Sequence, residues 1–464
     1  MSVLERVERV PSWGIEPVPA EHRIFSGLDL GLLWGNLGIS LLLPIVGALL
    51  VPALSFREAL AAVVVGALIG NLMLAGAARI GADTGVPTMT LYRASLGIRG
   101  SFAPTFFNIL QNIGWGSFEL FIIGAAAAAI SERTTGVAAR PLWVGLFGVI
   151  SVFMALSGPA AVVRQWLRRF AVWAVLASSL YITWYLFMDL ELSGLWSRAG
   201  EGGWPSFWQA VDLSVALPIS WIPLVADYTR FARGSRAAFW GAGTGYFVAH
   251  VWFYLIGVLL VLGRNADPLD PEAFITSMLA IPVGFIALLT LLVDETDEAF
   301  ANMYSTAVSV QNLVPRASQR VLVVVVGGIC TALALIVDLV QYENFLLLLG
   351  ALFVPLFGVL AADYYVLHHG HYEVGELYQS EGAYWYSAGV NWPLIVAWAF
   401  GFLVYNWINP GSVSWWSQSM ATLFQDWLQL PPASSWLGAS VASFVSTGVV
   451  TIILGRRFRR RLVT

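Results

Sequence analysis

The sequence predicts an all-α integral membrane protein that crosses the bilayer about 12 times, with roughly 20 apolar residues in each helical span. Two observations carry this prediction. Hydrophobic residues make up 58% of the 464-residue chain and charged residues only 11%. The mean hydropathy of +0.74 also lies far outside the usage of soluble domains. We therefore expect most of the chain to lie within the lipid bilayer.

Apolar runs follow one another along most of the chain, and each is a predicted helix. They lie near 27–50, 57–78, 101–131, 141–158, 167–188, 207–229, 237–262, 283–309, 319–338, 343–366, 389–407 and 433–455. This spacing predicts an N-terminal tail (1–26), a ten-helix core (27–366), a polar loop (367–388), two further helices (389–456) and a basic C-terminal tail (457–464).

The 24 basic residues are all arginine, and their distribution predicts the orientation of the chain. With the N-terminus in the cytoplasm, 19 of them fall in cytoplasmic segments and 5 in external ones. Because cytoplasmic loops carry the excess of basic residues, we expect both termini and the loop 367–388 in the cytoplasm, and the protein in the plasma or inner membrane. The single cysteine, Cys330, excludes disulfides and cysteine metal sites within the chain.

Segment 294–298 holds four carboxylates directly behind one of the most apolar stretches of the chain. The four are Asp294, Glu295, Asp297 and Glu298. In one interpretation, 273–293 spans the membrane and the carboxylates solvate a helix end at the surface. In the other, Pro282 precedes a helix that runs from about 283 to 309 and holds the carboxylates at its middle.

A polar stripe favours the second interpretation. Asp294, Asp297, Glu298, Asn302 and Ser305 recur every three or four residues and so share one helical face, which a surface loop does not need. Carboxylates inside a membrane usually mark an ion or substrate path, and four in a row cannot all stay ionised and unpaired there.

The third span also carries a polar stripe with a carboxylate. Asn108, Asn112, Trp115 and Glu119 share one face, and Glu119 is the sole charge in that span. An aromatic plate beside hydrogen-bonding groups suits a flat polar heterocycle, whose ring stacks while its edges need partners. For Asn108 alone, a role in helix packing is the better interpretation.

Two spans carry helix-breaking residues. Pro218 and Pro223 lie inside the sixth span, and Gly35, Asn36 and Gly38 lie inside the first. Broken first and sixth helices, five helices apart, are typical of transporters built from an inverted five-helix repeat that bind their substrate near the midplane. We therefore predict a secondary transporter with both helices broken.

The chain resembles the nucleobase:cation symporter family, which includes cytosine permeases, hydantoin transporters and predicted hydroxymethylpyrimidine permeases. The resemblance rests on "RIGADTGVPTMTLYRASLGIRGSFAP" before the third span, Gly114-Trp115 within it, "ADYTRF" at the end of the sixth span and "PLFGVLAADYY" at the end of the tenth. It covers most of 27–366 and implies a sodium-symporter-like 5+5 fold, with two extra C-terminal helices.

The resemblance also implies roles for single residues. Trp115 takes the place of the family's stacking aromatic, and Glu119 the place of a substrate-bonding glutamine found in some members. The second aromatic of the family falls on Pro218, so either Trp221 replaces it or the site has no aromatic sandwich. The hydroxyl residues that bind sodium fall on Asp294 and Glu295, which leaves Na⁺ and H⁺ both open as coupling ions.

The carboxylates, the aromatic face and the resemblance together predict a transporter of a small heterocycle, most of all a 4-aminopyrimidine such as hydroxymethylpyrimidine or cytosine. Ionised carboxylates accept hydrogen bonds and donate none, so they select edges rich in donors. Hydantoin, allantoin or a purine is the alternative substrate, and a channel or a membrane-embedded enzyme is a more remote one. The expected partners are the substrate, a coupling cation and the bilayer, without nucleic acid or an organic cofactor.

The candidate site residues fall into two sets. The predicted substrate-binding residues are Asn112, Trp115, Glu119, Ser220, Trp221, Glu298 and Asn302, and the predicted ion-coupling residues are Asn36, Gly38, Asp294 and Glu295.

Overall fold

The computed structural model describes residues 14–159, 172–264, 271–337, 342–433 and 438–462. Within these ranges the chain is built almost entirely of helices. The α-helices are α1 Gly27–Asn36, α2 Leu42–Ala48, α3 Phe56–Thr84, α4 Thr88–Leu96, α5 Phe102–Thr135, α6 Arg140–Ser157, α7 Val172–Asp189, α8 Leu192–Ser197, α9 Phe207–Thr229, α10 Ser235–Arg264, α11 Pro271–Leu279, α12 Gly284–Asp294, α13 Thr296–Leu313, α14 Gln319–Ala334, α15 Tyr342–Ala361, α16 Trp392–Ile408, α17 Ser414–Ala421 and α18 Ala439–Leu462.

The long apolar helices agree with the runs read from the sequence. In the described ranges, eight helices are long and apolar enough to cross a membrane, and α14 and α16 are shorter apolar helices. The expectation of an all-α membrane protein is confirmed. The start of the predicted fifth span, 167–171, lies outside the described residues.

The first span is interrupted, as predicted. Helix α1 ends at Asn36 and α2 begins at Leu42, so five residues between them leave the helical path. Gly38 lies in this break, and a Cβ atom there would come within 2.7 Å of the Ala249 Cβ on α10. Glycine at this point therefore lets the unwound backbone approach the neighbouring helix closely.

The predicted break in the sixth span is wrong. Helix α9 continues through both Pro218 and Pro223. Prolines remove N–H donors from a helix, but a membrane helix can stay helical around them where a neighbouring helix supports it. On α5, Gln111 Nε2 donates to the Ser220 carbonyl at 3.0 Å and Asn108 Nδ2 donates to the Pro223 carbonyl at 3.3 Å. These amides support α9 without unwinding it.

The helices that position the site form two packed groups. In the first group, α1 and α2 pack on α10, and α3 packs on both α9 and α10. In the second group, α5, α6, α13 and α14 pack on one another. The break between α1 and α2 faces the junction of α12 and α13, and this is where the two groups meet.

Close backbone contact between α2 and α10 gives a first prediction. A Cβ atom on Gly257 would lie 1.8 Å from the Pro44 carbonyl oxygen, which is too close for any side chain. We expect Gly257→Val to force the helices apart and destabilise the protein by about 1–3 kcal/mol or more. Thermal unfolding of purified protein in detergent measures this. Gly328→Val on α14 is the matched control, since a Cβ there meets nothing within 4 Å, and it should unfold like the wild type.

Candidate functional site

The carboxylates of segment 294–298 are buried inside the helical bundle. Asp294, Glu295, Asp297 and Glu298 are each only 1–3% exposed. Helix α12 ends at Asp294 and α13 begins at Thr296, so the carboxylates sit at the middle of a nearly continuous span. The interpretation that places them on a surface loop is therefore wrong.

Glu295 connects this span to the break in the first one. Its carboxylate accepts hydrogen bonds from Ser40 Oγ at 2.7 Å and from the Leu41 backbone N–H at 2.9 Å. Both donors stand just before α2, where the first backbone N–H groups of a helix have no partner within it. The carboxylate thus holds the two helix groups together at the point where α1 and α2 separate.

Asn36, the last residue of α1, bridges two other carboxylates. Its Nδ2 donates to Asp294 Oδ1 at 3.0 Å and to Asp297 Oδ2 at 2.7 Å. The Asn36 amide oxygen and the other oxygen of each aspartate are buried and have no hydrogen-bond partner within the described part of the chain. Carboxylate and amide oxygens are the ligand atoms that hard cations prefer.

Glu119 of α5 completes a group of three glutamates. One carboxylate oxygen each of Glu119, Glu295 and Glu298 lies within 4.8 Å of the other two. No ion pair joins any of them to a basic side chain in the described ranges. Because buried like charges strongly repel one another, this group needs protons, a cation or a ligand rich in donors for balance.

A small cavity opens beside the glutamates, between the two helix groups. It is lined by Ser40, Leu42, Leu43, Trp115, Glu119, Leu217, Ser220, Trp221, Leu224, Tyr246, Glu298 and Asn302. Its volume of about 10 Å³ is close to the room of a single water molecule. A flat heterocycle therefore fits only after the side chains around it move apart.

Two tryptophans from different helix groups line this cavity. Trp115 packs edge-on against Tyr342 and Phe345, with ring centroids 5.8 and 5.3 Å away, and its Nε1 has no hydrogen-bond partner in the described ranges. Trp221 is held differently, because its Nε1 donates to the Tyr246 hydroxyl at 2.9 Å and its ring meets the Trp34 ring at 5.7 Å. One tryptophan is free to bind an acceptor, and the other is fixed in place.

Most of the predicted substrate-binding residues meet at this cavity. Trp115, Glu119, Ser220, Trp221, Glu298 and Asn302 line it. Asn112 does not line it, although its side chain is fully buried and neither amide atom has a partner in the described part of the chain. Of the predicted ion-coupling residues, Asn36, Asp294 and Glu295 lie together, and Gly38 packs against α10.

Sequence reasoning missed two polar residues of the cavity, Ser40 and Tyr246. The sequence indicates the position of Ser40 only weakly, because Ser40 follows the glycines of the interrupted first span. It does not indicate Tyr246, because Tyr246 lies in an ordinary apolar helix and reaches the cavity only through the packing of α10 on α1.

A cavity with carboxylates at the break of a membrane helix, between two packed helix groups, is typical of a secondary transporter. The chain belongs to the family of permeases for cytosine/purines, uracil, thiamine and allantoin, whose model matches residues 17–427. The protein is thus a membrane transporter of the nucleobase and heterocycle cation symporter class, rather than an enzyme.

Curated relatives agree with this family. A hydantoin permease from Microbacterium maritypicum is 23% identical over 405 residues, which cover 84% of this chain and 82% of the relative. A cytosine permease from Escherichia coli O157:H7 is 28% identical over 382 residues, or 79% of this chain and 82% of the relative. An allantoin permease from Bacillus subtilis is 24% identical over 442 residues, or 86% and 87% of the two chains.

Solved structures confirm the sodium-symporter-like fold. The transporter Mhp1, in a closed conformation with bromovinylhydantoin bound, superposes with a TM-score of 0.79 at 21% identity and covers 97% of this chain and 96% of its own. A Na⁺-coupled sialic acid symporter superposes with a TM-score of 0.55 at 10% identity, over 97% of this chain and 92% of its own.

Proposed function

We propose that the protein imports a 4-aminopyrimidine, such as hydroxymethylpyrimidine or cytosine, together with a cation. It works in the plasma or inner membrane, with both termini in the cytoplasm. The single observation that carries the proposal is that two glutamates, Glu119 and Glu298, line the cavity beside Trp115.

The chemistry of these side chains supports a substrate rich in donors. When ionised, the two carboxylates accept hydrogen bonds only, and a 4-aminopyrimidine offers an exocyclic amine next to a ring nitrogen. The unpaired Trp115 Nε1 donates, so it suits an acceptor on another edge of the ring. Uracil and hydantoin present more carbonyl acceptors, which two carboxylates bind poorly.

The coupling cation is proposed to bind or act next to this cavity. Asn36, Asp294 and Glu295 surround the break between α1 and α2, and Gly38 contributes only backbone there. Carboxylates can hold Na⁺ through oxygen or carry a proton, so both ions remain candidates. Either ion would reduce the excess negative charge that the buried carboxylates place between the two helix groups.

The alternative substrate is hydantoin, allantoin or a purine. One observation favours it, since the relatives include permeases named for hydantoin and allantoin. Direct binding to purified protein distinguishes the two proposals. We expect hydroxymethylpyrimidine or cytosine to bind more tightly than uracil, hydantoin, allantoin and adenine. Tighter binding of any of these four would overturn the aminopyrimidine assignment.

A prediction follows for the stacking residue. Trp115→Ala should still fold but should weaken substrate binding about tenfold or more, since it loses the apolar area that the ring buries and also the about 0.5–1.5 kcal/mol that a stacked aromatic contributes beyond that area. Titration of purified protein with the substrate measures the change. Trp173→Ala is the control, because Trp173 is 63% exposed on the outside of the bundle. Equal affinities in the two variants would show that the substrate does not bind at Trp115.

A further inference from the structure

A fully buried arginine joins the N-terminal segment to both helix groups at one end of the bundle. Arg230, directly after α9, is 0% exposed. Its Nη1 donates to the Gly14 carbonyl oxygen at 2.7 Å, and its Nη2 donates to the Tyr304 hydroxyl on α13 at 3.0 Å. One side chain thus connects residues from α9, α13 and the tail.

The tail is held at further points along residues 14–23, which we name the strap. The Tyr378 hydroxyl donates to the Ile15 carbonyl at 2.6 Å, and the Val18 N–H donates to the Gly85 carbonyl at 2.8 Å. Arg23 donates through Nε to the Val18 carbonyl at 2.9 Å and through Nη1 to the Ala82 carbonyl at 3.1 Å. The strap therefore crosses the ends of α3 and α13 and contacts the polar loop 367–388.

These contacts lie at the end of the bundle opposite to the external loops in the expected orientation. Arg79, Arg93 and Arg230 share this end, and basic residues in such segments predict the cytoplasmic side. Below the cavity, Asn108 of α5 already bonds to α9 and Tyr228 of α9 donates to the Ala301 carbonyl on α13 at 3.1 Å. The strap adds an outer layer to this closed end.

We propose that the strap closes the cytoplasmic end of the transport path, with Arg230 as the positioning residue that locks it, and that it must release before substrate leaves to the cytoplasm. The proposal rests on the proposed function only in that the protein moves a solute between the two helix groups. It does not depend on which solute that is.

The hydrogen bonds of Arg230 are of a kind that can break and form again. The guanidinium of Arg230 offers five donors in a rigid fork, so it can bind the Gly14 carbonyl of the strap and the Tyr304 hydroxyl of α13 at once. Gly14 has a φ of +52°, and a Cβ there would lie 3.0 Å from Gln311 Oε1. A branched residue at position 14 would therefore disturb the strap without touching Arg230 itself.

The test is carried out on the full chain with one reporter cysteine. Cys330→Ala removes the native thiol, and Ser305→Cys places a new one on α13, one turn from Asn302 of the cavity toward the strap. A thiol reagent that cannot cross membranes is applied to the cytoplasmic side in inside-out vesicles. Arg230→Ala and Gly14→Val should each raise the labelling rate about tenfold, as expected for the loss of a charge-assisted hydrogen bond.

Two further comparisons sharpen the test. The double variant should label no faster than the faster single one, because both changes open the same lock. Tyr378→Phe removes one strap bond and should raise labelling. Tyr386→Phe removes a similar bond in the same loop, from its hydroxyl to the Ala94 carbonyl, and should not.

The outcomes separate this proposal from the substrate assignment. Unchanged labelling in Gly14→Val and Arg230→Ala overturns the strap, and additive effects in the double variant overturn the shared lock. If Arg230→Ala does not fold, Gly14→Val and Tyr378→Phe decide the question. Faster labelling in a protein that binds no aminopyrimidine supports the strap and overturns the substrate assignment.

Discussion

Glu295→Ala is expected to abolish cation-driven uptake and to lower the stability of the protein. The Glu295 carboxylate accepts hydrogen bonds from Ser40 Oγ and from the Leu41 N–H. Its removal leaves both donors buried without this partner. Each unpaired group costs about 1–3 kcal/mol. Glu295→Gln keeps an acceptor oxygen and should fold, but it removes the charge, so uptake should no longer follow the cation gradient.

A matched control exists at another helix start. The Asp212 carboxylate accepts from the Ala439 and Ser440 backbone N–H groups at 2.8 and 2.9 Å, and it does not line the cavity. Asp212→Asn should therefore lower thermal stability but leave the cation dependence of uptake unchanged. If Glu295→Gln behaves like Asp212→Asn in uptake across imposed gradients, Glu295 has a structural role only.

Glu119→Gln is expected to change which heterocycles bind. The glutamine side chain offers a donor where the glutamate offers only acceptors, so the affinity for hydroxymethylpyrimidine or cytosine should fall by roughly 10- to 100-fold. The affinity for uracil or hydantoin should stay equal or rise, since their carbonyls gain a donor. Equilibrium binding of this panel to purified wild type and variant measures the shift.

The control for this change is a glutamate far from the cavity. Glu58 caps the start of α3 through Ser55 and lies at the surface end of that helix. Glu58→Gln should leave the whole binding panel unchanged. A uniform loss of affinity for all ligands in Glu119→Gln would mean that Glu119 supports the fold of the cavity rather than its selectivity.

Much of the fold follows from patterns that are local in the sequence. Apolar runs located the long helices, with ends that differ by up to seven residues, and Asn36 and Gly38 mark the break in the first span. The carboxylates recur every three or four residues, and this spacing predicts one shared helix face wherever the helix begins and ends. These signals need no knowledge of neighbouring helices.

What failed depended on contacts between distant segments. The prolines of the sixth span suggested a broken helix, but the helix stays continuous, and Asn108 and Gln111 of α5 support it through bonds to its Pro223 and Ser220 carbonyls. Tyr246 reached the cavity only through the packing of α10. The lock of Arg230 on Gly14 joins residues 216 positions apart, and nothing near either residue indicates it.

Uptake into proteoliposomes tests the central claim most directly. Purified protein is reconstituted, a Na⁺ or an H⁺ gradient is imposed, and labelled hydroxymethylpyrimidine and cytosine are followed with time. We expect at least one of them to accumulate above its external concentration under one of the two gradients, and an ionophore that collapses that gradient to abolish the accumulation. Accumulation of hydantoin or allantoin but of neither aminopyrimidine, or uptake that only equilibrates whatever the gradient, would contradict the account.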